Sequence, residues 1–187
     1  MDAVGKKLAL FDLDGTLFDT SEVNFYSYRD ALRVFDIELD KDYFVKYCNG
    51  YHYSEFLPKI VENKDCMDKV HVLKKKFYEE NLSHARVNLQ LFRIMETMQQ
   101  NFHLAVVTTA SRKNTMDILR YFGYENLFEL LITQEDITKT KPDPQGYLLA
   151  MKYFSAKPED TIIFEDSDVG IQAARATKAT VMVVNQF

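Results

Sequence analysis

Five short apolar runs, each rich in β-branched residues and set apart by stretches of helical periodicity, constrain this chain more than any other feature. Residues 8–13, 103–107, 130–133, 161–164 and 180–184 each read as a buried strand. The segments between the later strands carry helix ends. Ser111 is placed to cap a helix that reaches Phe122, with Gly123 just past its end. Asp143-Pro144 opens another by putting proline in the first turn, and a third runs over 169–176, after the acidic run 165–168. Strand and helix in alternation predict an α/β chain, a parallel sheet with helices on both faces.

One segment interrupts the alternation. Residues 21–85 separate the first strand from the rest and are far too long for an ordinary loop, so they require structure of their own. Phe25, Tyr28, Leu32 and Phe35 fall at helical spacing, as do Val70, Leu73 and Phe77, and Asn49-Gly50 breaks the pattern between them. The expectation is a small helical insertion. Its aromatics Tyr43, Phe44, Tyr47, Tyr51 and Tyr53 read as packing residues, and Lys74-Lys75-Lys76 as a solvated helix face.

The 187 residues suffice for one core plus a small subdomain, and 47% apolar with 27% charged residues is the balance of a globular chain. A net charge of −5 argues against broad nucleic-acid binding, which needs Lys and Arg to displace counterions. An anionic ligand must then be captured locally. Cys48 and Cys66 fit no metal-binding spacing, and so sparse a pair points to a reducing compartment, with the cytoplasm as the expectation. The first twenty residues show no signal-peptide pattern, and no stretch approaches the roughly 18 apolar residues of a membrane span.

Four features stand where strands end, at the edge where open parallel sheets bind ligands. In the first, Phe11-Asp12-Leu13-Asp14-Gly15-Thr16-Leu17-Phe18-Asp19-Thr20, an extended chain would turn Asp12 and Asp14 to the same side. Two close carboxylates repel, so either one holds a proton or a cation lies nearby. A bare D-x-D-G is equally a strand followed by an Asp-Gly turn. The second, residues 106–111, ends a strand in the hydroxyls of Thr108, Thr109 and Ser111 ahead of a helix N-terminus; such hydroxyls are also ordinary helix caps. The third sets Lys141 before the rigid Pro142-Asp143-Pro144 turn, although an isolated lysine is normally a solvated charge. The fourth, Phe164-Glu165-Asp166-Ser167-Asp168, brings carboxylates out of an apolar strand, a donor set suited to a hard cation.

Taken in this order, the four features resemble the haloacid dehalogenase superfamily over nearly the whole chain. The fourth, with Gly170-Ile171-Gln172-Ala173-Ala174, is similar to the form in the β-phosphoglucomutase-like and phosphoglycolate-phosphatase-like branch. The resemblance implies a Rossmann-like core of residues 1–20 and 86–187, with residues 21–85 as an α-helical cap that closes over the site. It implies a phosphatase of small phosphorylated metabolites. Asp12 would be the nucleophile, Asp14 the general acid and base, and Lys141 the neutralising cation. Thr108 and the backbone N–H of Thr109 would hold the phosphoryl oxygens. Mg²⁺ would be bound by the Asp12 and Asp166 carboxylates and the Asp14 carbonyl, with Glu165 ligating directly or through water.

In the cap, Asn49 and His52 lie where the family places a specificity loop, and are candidates for touching substrate. Asp14 favours phosphoryl transfer over carbon–halogen cleavage, because the dehalogenase branch lacks an acid/base aspartate there. A sugar-phosphate mutase of this branch usually carries a histidine where this chain has Asn24, which favours hydrolysis; a non-catalytic binding protein on the same fold is the third possibility. Relatives commonly continue into a helix after the last strand, so the expectation for assembly is a monomer or a homodimer.

Overall fold

A computed structural model describes residues 5–51 and 53–185, including seven strands. These are β1 (Lys7–Phe11), β2 (Phe18–Asp19), β3 (Arg86–Val87), β4 (Phe102–Val107), β5 (Leu130–Ile132), β6 (Thr161–Glu165) and β7 (Thr180–Val183). The eight α-helices among the described residues are α1 (Ser21–Arg33), α2 (Lys41–Tyr47), α3 (Tyr53–Phe56), α4 (Lys64–Glu80), α5 (Leu89–Met98), α6 (Arg112–Tyr121), α7 (Gln145–Tyr153) and α8 (Asp168–Ala176). The chain forms two compact units, one running to Asp19 and resuming at Arg86, the other Thr20–Ala85.

The first unit is a five-stranded sheet in the order β5-β4-β1-β6-β7, every pair parallel. The expected Rossmann-like α/β class is what the chain adopts. Side chains alternate across the sheet. Leu8, Leu10, Ala105, Val107, Ile132 and Ile163 meet Tyr147, Ala150 and Met151 of α7 and Ala173 and Ala174 of α8 in one core cluster. Ala9, Phe11, Leu104 and Val106, of opposite parity, are also buried, so the second face is covered too. The right-handed crossover rule places α5 and α6 there, because β1→β4→β5 and β6→β7 step outward in opposite directions from the sheet centre. That reversal opens a crevice at the carboxyl ends of β1, β4 and β6.

Strand ends depart from expectation where turns intervene. β1 stops at Phe11, not at residue 13: the Leu13 carbonyl accepts from the Leu17 and Phe18 N–H groups at 3.0 Å each, and the Gly15 N–H donates to the Phe18 carbonyl at 2.7 Å. Asp12 and Asp14 therefore flank a turn residue and do not alternate along a strand. Gly15 has φ +93, which a Cβ would disfavour. In α7, Pro144 is the N-cap and not a first-turn residue, and the Asp143 carboxylate accepts the Gln145 N–H at 3.0 Å. Ser111 caps α6 as expected, accepting from the Asn114 N–H. Neither the β2–β3 pair nor α5 was foreseen. Asn88 starts α5 by accepting the Leu91 N–H at 3.1 Å.

The second unit is helical. Phe25, Tyr28, Leu32, Phe44, Phe56, Leu57 and Val70 form its core, with Leu73 and Phe77 packed against them. α1 ends at Arg33, so Phe35 lies in the turn that follows. Asn49-Gly50 does separate α2 from α3. The solvated reading of the lysine run fails at Lys74. At the i+4 position from buried Val70 and four before buried Tyr78, it points inward, donates to the Asn24 Oδ1 at 2.7 Å and lies over the Tyr28 and Tyr78 rings. The packing reading of the aromatics fails at Tyr47 and Tyr51, which are exposed.

Candidate active site

The crevice gathers the four strand-end features. Asp12 follows β1 and its N–H donates to the Phe164 carbonyl of the neighbouring strand at 3.0 Å, which fixes the backbone beneath the carboxylate. Thr108 follows β4 and is anchored in the same way through its N–H to Ile132. Glu165 is the last residue of β6, and Asp166 begins the turn into α8. Lys141 arrives from the other direction, on the loop before α7.

Lys141 holds the centre. Its ammonium is ion-paired to Asp12 Oδ1 and, at 2.6 Å, to Glu165 Oε1, and a longer contact of 3.4 Å reaches the Val107 carbonyl. Three acceptors match its three protons. Burial alone would lower the lysine pKa, but Asp12, Tyr147 and Glu165 reverse that and hold it well above its ordinary value. Burial raises the Asp12 carboxyl well above the usual carboxylate range; Lys141 opposes this, while Glu165 and Asp14 add to it. Burial likewise raises Asp166, against the hydrogen bond from Thr16, with Glu165 adding to the rise.

Glu165 is completely buried and saturated. Its Oε2 accepts from the Asp166 N–H at 2.9 Å, the Ser167 N–H at 3.0 Å and the Ser167 hydroxyl at 3.2 Å; its Oε1 accepts from Lys141 and from the Tyr147 hydroxyl at 2.9 Å. Asp166 differs. Its Oδ1 takes the Thr16 hydroxyl at 2.8 Å, and among the described residues neither its Oδ2 nor the Oδ2 of Asp12 makes a hydrogen bond to another residue's side chain.

A hard cation fits these residues. Asp12, Glu165 and Asp166 each offer a carboxylate oxygen within 4.8 Å of the others. Three carboxylates against one ammonium leave the buried cluster two negative charges in excess, the deficit a divalent ion would fill. Space is kept beside it, since a Cβ on Gly15 would overlap the Asp166 carboxylate.

Thr108 is buried and its hydroxyl accepts the Ala110 N–H at 3.0 Å; Thr109 is exposed, and its N–H makes no hydrogen bond among the described residues. The anion-receiving helix end is narrower than expected. The Arg112 N–H is taken by the Glu135 carboxylate at 2.9 Å and the Asn114 N–H by the Ser111 hydroxyl at 3.3 Å, so two of the donors there are already used. Thr108, Thr109, Lys141 and Tyr147 line one small pocket. Asp14 is half-buried on the turn after Asp12. Asn49 lies in the helical unit, where its N–H closes the end of α2 on the Phe44 carbonyl, and His52 falls outside the described residues. Tyr147 was not among the residues singled out from the sequence; its place six residues after Lys141, on the buried face of a helix that starts at the Lys141 turn, is the signal that could have found it.

No helix among the described residues is long and apolar enough to cross a membrane. Residues 9–184 match the family described as haloacid dehalogenase-like hydrolase. The chain is 27% identical to the phosphorylated carbohydrates phosphatase of Thermotoga maritima over 175 residues, 89% of this chain and 79% of that protein. It is 25% identical to the fructose-1-phosphate phosphatase YqaB of Escherichia coli over 170 residues, 89% of this chain and 90% of that protein. The solved structure of CbbY from Rhodobacter sphaeroides in complex with phosphate superimposes with a TM-score of 0.83 at 21% identity, covering 97% of this chain and 87% of that one, a likeness of fold. With the matched span taking in all four strand-end features, this chain belongs to the haloacid dehalogenase-like hydrolase family.

Proposed function

We propose that the chain is a Mg²⁺-dependent phosphatase that hydrolyses a small phosphorylated metabolite through a phosphoryl group carried on Asp12. The observation that carries this reading is the buried Asp12 carboxylate, pinned at Oδ1 by Lys141 and with an oxygen within 4.8 Å of one on Asp166. Asp12 attacks phosphorus, the bond from phosphorus to the leaving oxygen breaks, and Asp14 supplies the proton that oxygen takes up. Asp14 then removes a proton from water, the water oxygen attacks phosphorus, and the bond to Asp12 breaks to release phosphate. Thr108 and the Thr109 N–H orient the phosphoryl oxygens, while Lys141 keeps Asp12 ionised and in line. Asp12, Asp166 and the Asp14 carbonyl would hold Mg²⁺, which offsets the repulsion between an anionic nucleophile and an anionic phosphate.

Hydrolysis is preferred over transfer because Asn24 carries no exchangeable acid or base. Its amide accepts from Lys74 and donates to the Thr20 hydroxyl at 3.3 Å, a structural use. Relatives named as phosphatases of phosphorylated carbohydrates and of fructose 1-phosphate support a phosphorylated small molecule as substrate. Residues 21–85 are proposed as the cap that selects it, with Asn49 and His52 as contacts. Asp12→Asn is expected to abolish Mg²⁺-dependent phosphate release from p-nitrophenyl phosphate; turnover near wild type would refute the reading. β-Glucose 1-phosphate separates the alternative, since an isomerised sugar phosphate would mark a mutase.

A further inference from the structure

Tyr147 takes no part in the reaction just described, yet its hydroxyl ends inside the site. The ring is fully buried in the sheet core, and the phenol donates to Glu165 Oε1 at 2.9 Å, the same oxygen that receives Lys141. Gly170 closes the other side, where a Cβ would overlap that oxygen. Three donors hold Oε2. Glu165 is thus held at both oxygens, and in turn it holds the Lys141 ammonium.

We propose that Tyr147 is a positioning residue, whose hydroxyl shares Glu165 Oε1 with Lys141 and so sets where the ammonium stands against Asp12; this rests on the reaction proposed above. If the phenol were absent, Oε1 would keep Lys141 as its sole donor. The carboxylate would then compete harder with Asp12 for the same cation, and the nucleophile would lose part of its restraint. Among the described residues neither Asp12 nor Asp166 shares a hydrogen bond with Tyr147, so the effect passes through Glu165 to the lysine and reaches the Asp12 and Asp166 carboxylates only indirectly.

Tyr147→Phe keeps the ring and removes only the hydroxyl. Outer hydrogen-bond partners of this kind govern activity by 10–100-fold, so kcat for p-nitrophenyl phosphate is expected to fall about tenfold. KM, and the affinity for Mn²⁺ measured by electron paramagnetic resonance without substrate, should each change less than about twofold. Gly170→Ala instead crowds both oxygens of the carboxylate, and through Oε2 the Asp166 N–H, so it should lower kcat and Mn²⁺ affinity together. Wild-type kcat in Tyr147→Phe would overturn the proposal, as would a Mn²⁺ affinity in that variant that falls in step with kcat. A third measurement does not depend on turnover: the ¹⁵N resonance of the Lys141 ammonium, assigned by its loss in Lys141→Met, should shift in Tyr147→Phe. An unmoved resonance overturns the positioning role even if no phosphatase activity is found, whereas a shifted one in a protein without activity would leave the positioning intact and refute the proposed reaction.

Discussion

Replacing Lys141 by methionine would remove the cation at the centre of the site while keeping most of its volume. At 2.6 Å and an effective dielectric of about 20, its attraction to Glu165 is worth roughly 6 kcal/mol before desolvation is counted. What remains in the variant is the repulsion of Asp12 and Glu165. Their facing oxygens lie within 4.8 Å, so two ionised groups would repel by at least about 3.5 kcal/mol. This agrees with the roughly 3–5 kcal/mol lost on breaking one side of a buried ion pair. For a chain of this length each kcal/mol moves Tm by about 2–4 °C, so a drop of about 7–14 °C is expected near pH 7.5 in chelator. The pH dependence gives a sharper check. In the wild type the Asp12 carboxyl is raised by burial against the pull of Lys141, and without that pull it rises further. A carboxyl whose folded pKa exceeds its unfolded value of about 3.9 binds more protons when folded, so stability falls as pH rises from the unfolded to the folded value. The variant should therefore regain stability on acidification from neutral pH towards about pH 5, narrowing its gap to the wild type. Scanning calorimetry of both proteins across that range measures it. A gap below about 1 kcal/mol at pH 7.5, or one that does not narrow in acid, would refute the claim that Lys141 compensates two buried carboxylates.

Other perturbations test other parts of the site and fold. Gly15→Ala forces a side chain into the left-handed backbone region and against Asp166, so it should cost at least about 1–2 kcal/mol in urea denaturation and weaken Mn²⁺ binding; unchanged affinity would show that the Gly15 turn does not shape the ion site. Asp136 accepts from both the Thr133 N–H and its hydroxyl at 2.8 Å and pairs with Arg112, so Asp136→Ala should cost about 1 kcal/mol at neutral pH. Burial tends to raise the Asp136 carboxyl, but the Thr133 bonds and Arg112 hold it below its ordinary value. Its contribution is therefore present above the unfolded pKa near 3.9 and lost as pH falls through the lower folded one, so the two proteins should converge in acid. Removing divalent ions with EDTA should abolish phosphate release and Mg²⁺ should restore it; turnover that survives exhaustive chelation would refute the cation requirement.

The sheet was legible because its strands are two-faced: residues such as Leu8-Ala9-Leu10-Phe11 are apolar at every position, as a parallel strand covered on both sides must be. Where β1 ends was not legible, because Leu13 is as buried as its strand neighbours and only its carbonyl, spent on Leu17 and Phe18, shows that a turn has begun. α5 went unread because its inward residues Leu91, Phe92 and Met95 span little more than one turn and the exposed apolar residues Leu89 and Ile94 blur their period. Charge patterns misled at Lys74, where a run of three lysines hides one whose helical phase points inward. Asp12, Lys141 and Asp166 could be found from motif order. The saturation of Glu165 could not, since three of its donors are two backbone N–H groups and a hydroxyl of the turn that follows it, which no spacing announces.

β1 occupies the middle of the sheet, flanked by β4 and β6, and Asp12 is the first residue past its end. A central strand exchanges its amide protons only through openings close to complete unfolding, while edge strands fray alone. The amides of Leu8 to Phe11 should thus be among the slowest in the chain to exchange, and those of the exposed edge strand β7 among the faster. Asp12 is mounted on the part of the molecule least able to move without the whole sheet, so local fluctuations at the rim leave its aim unchanged.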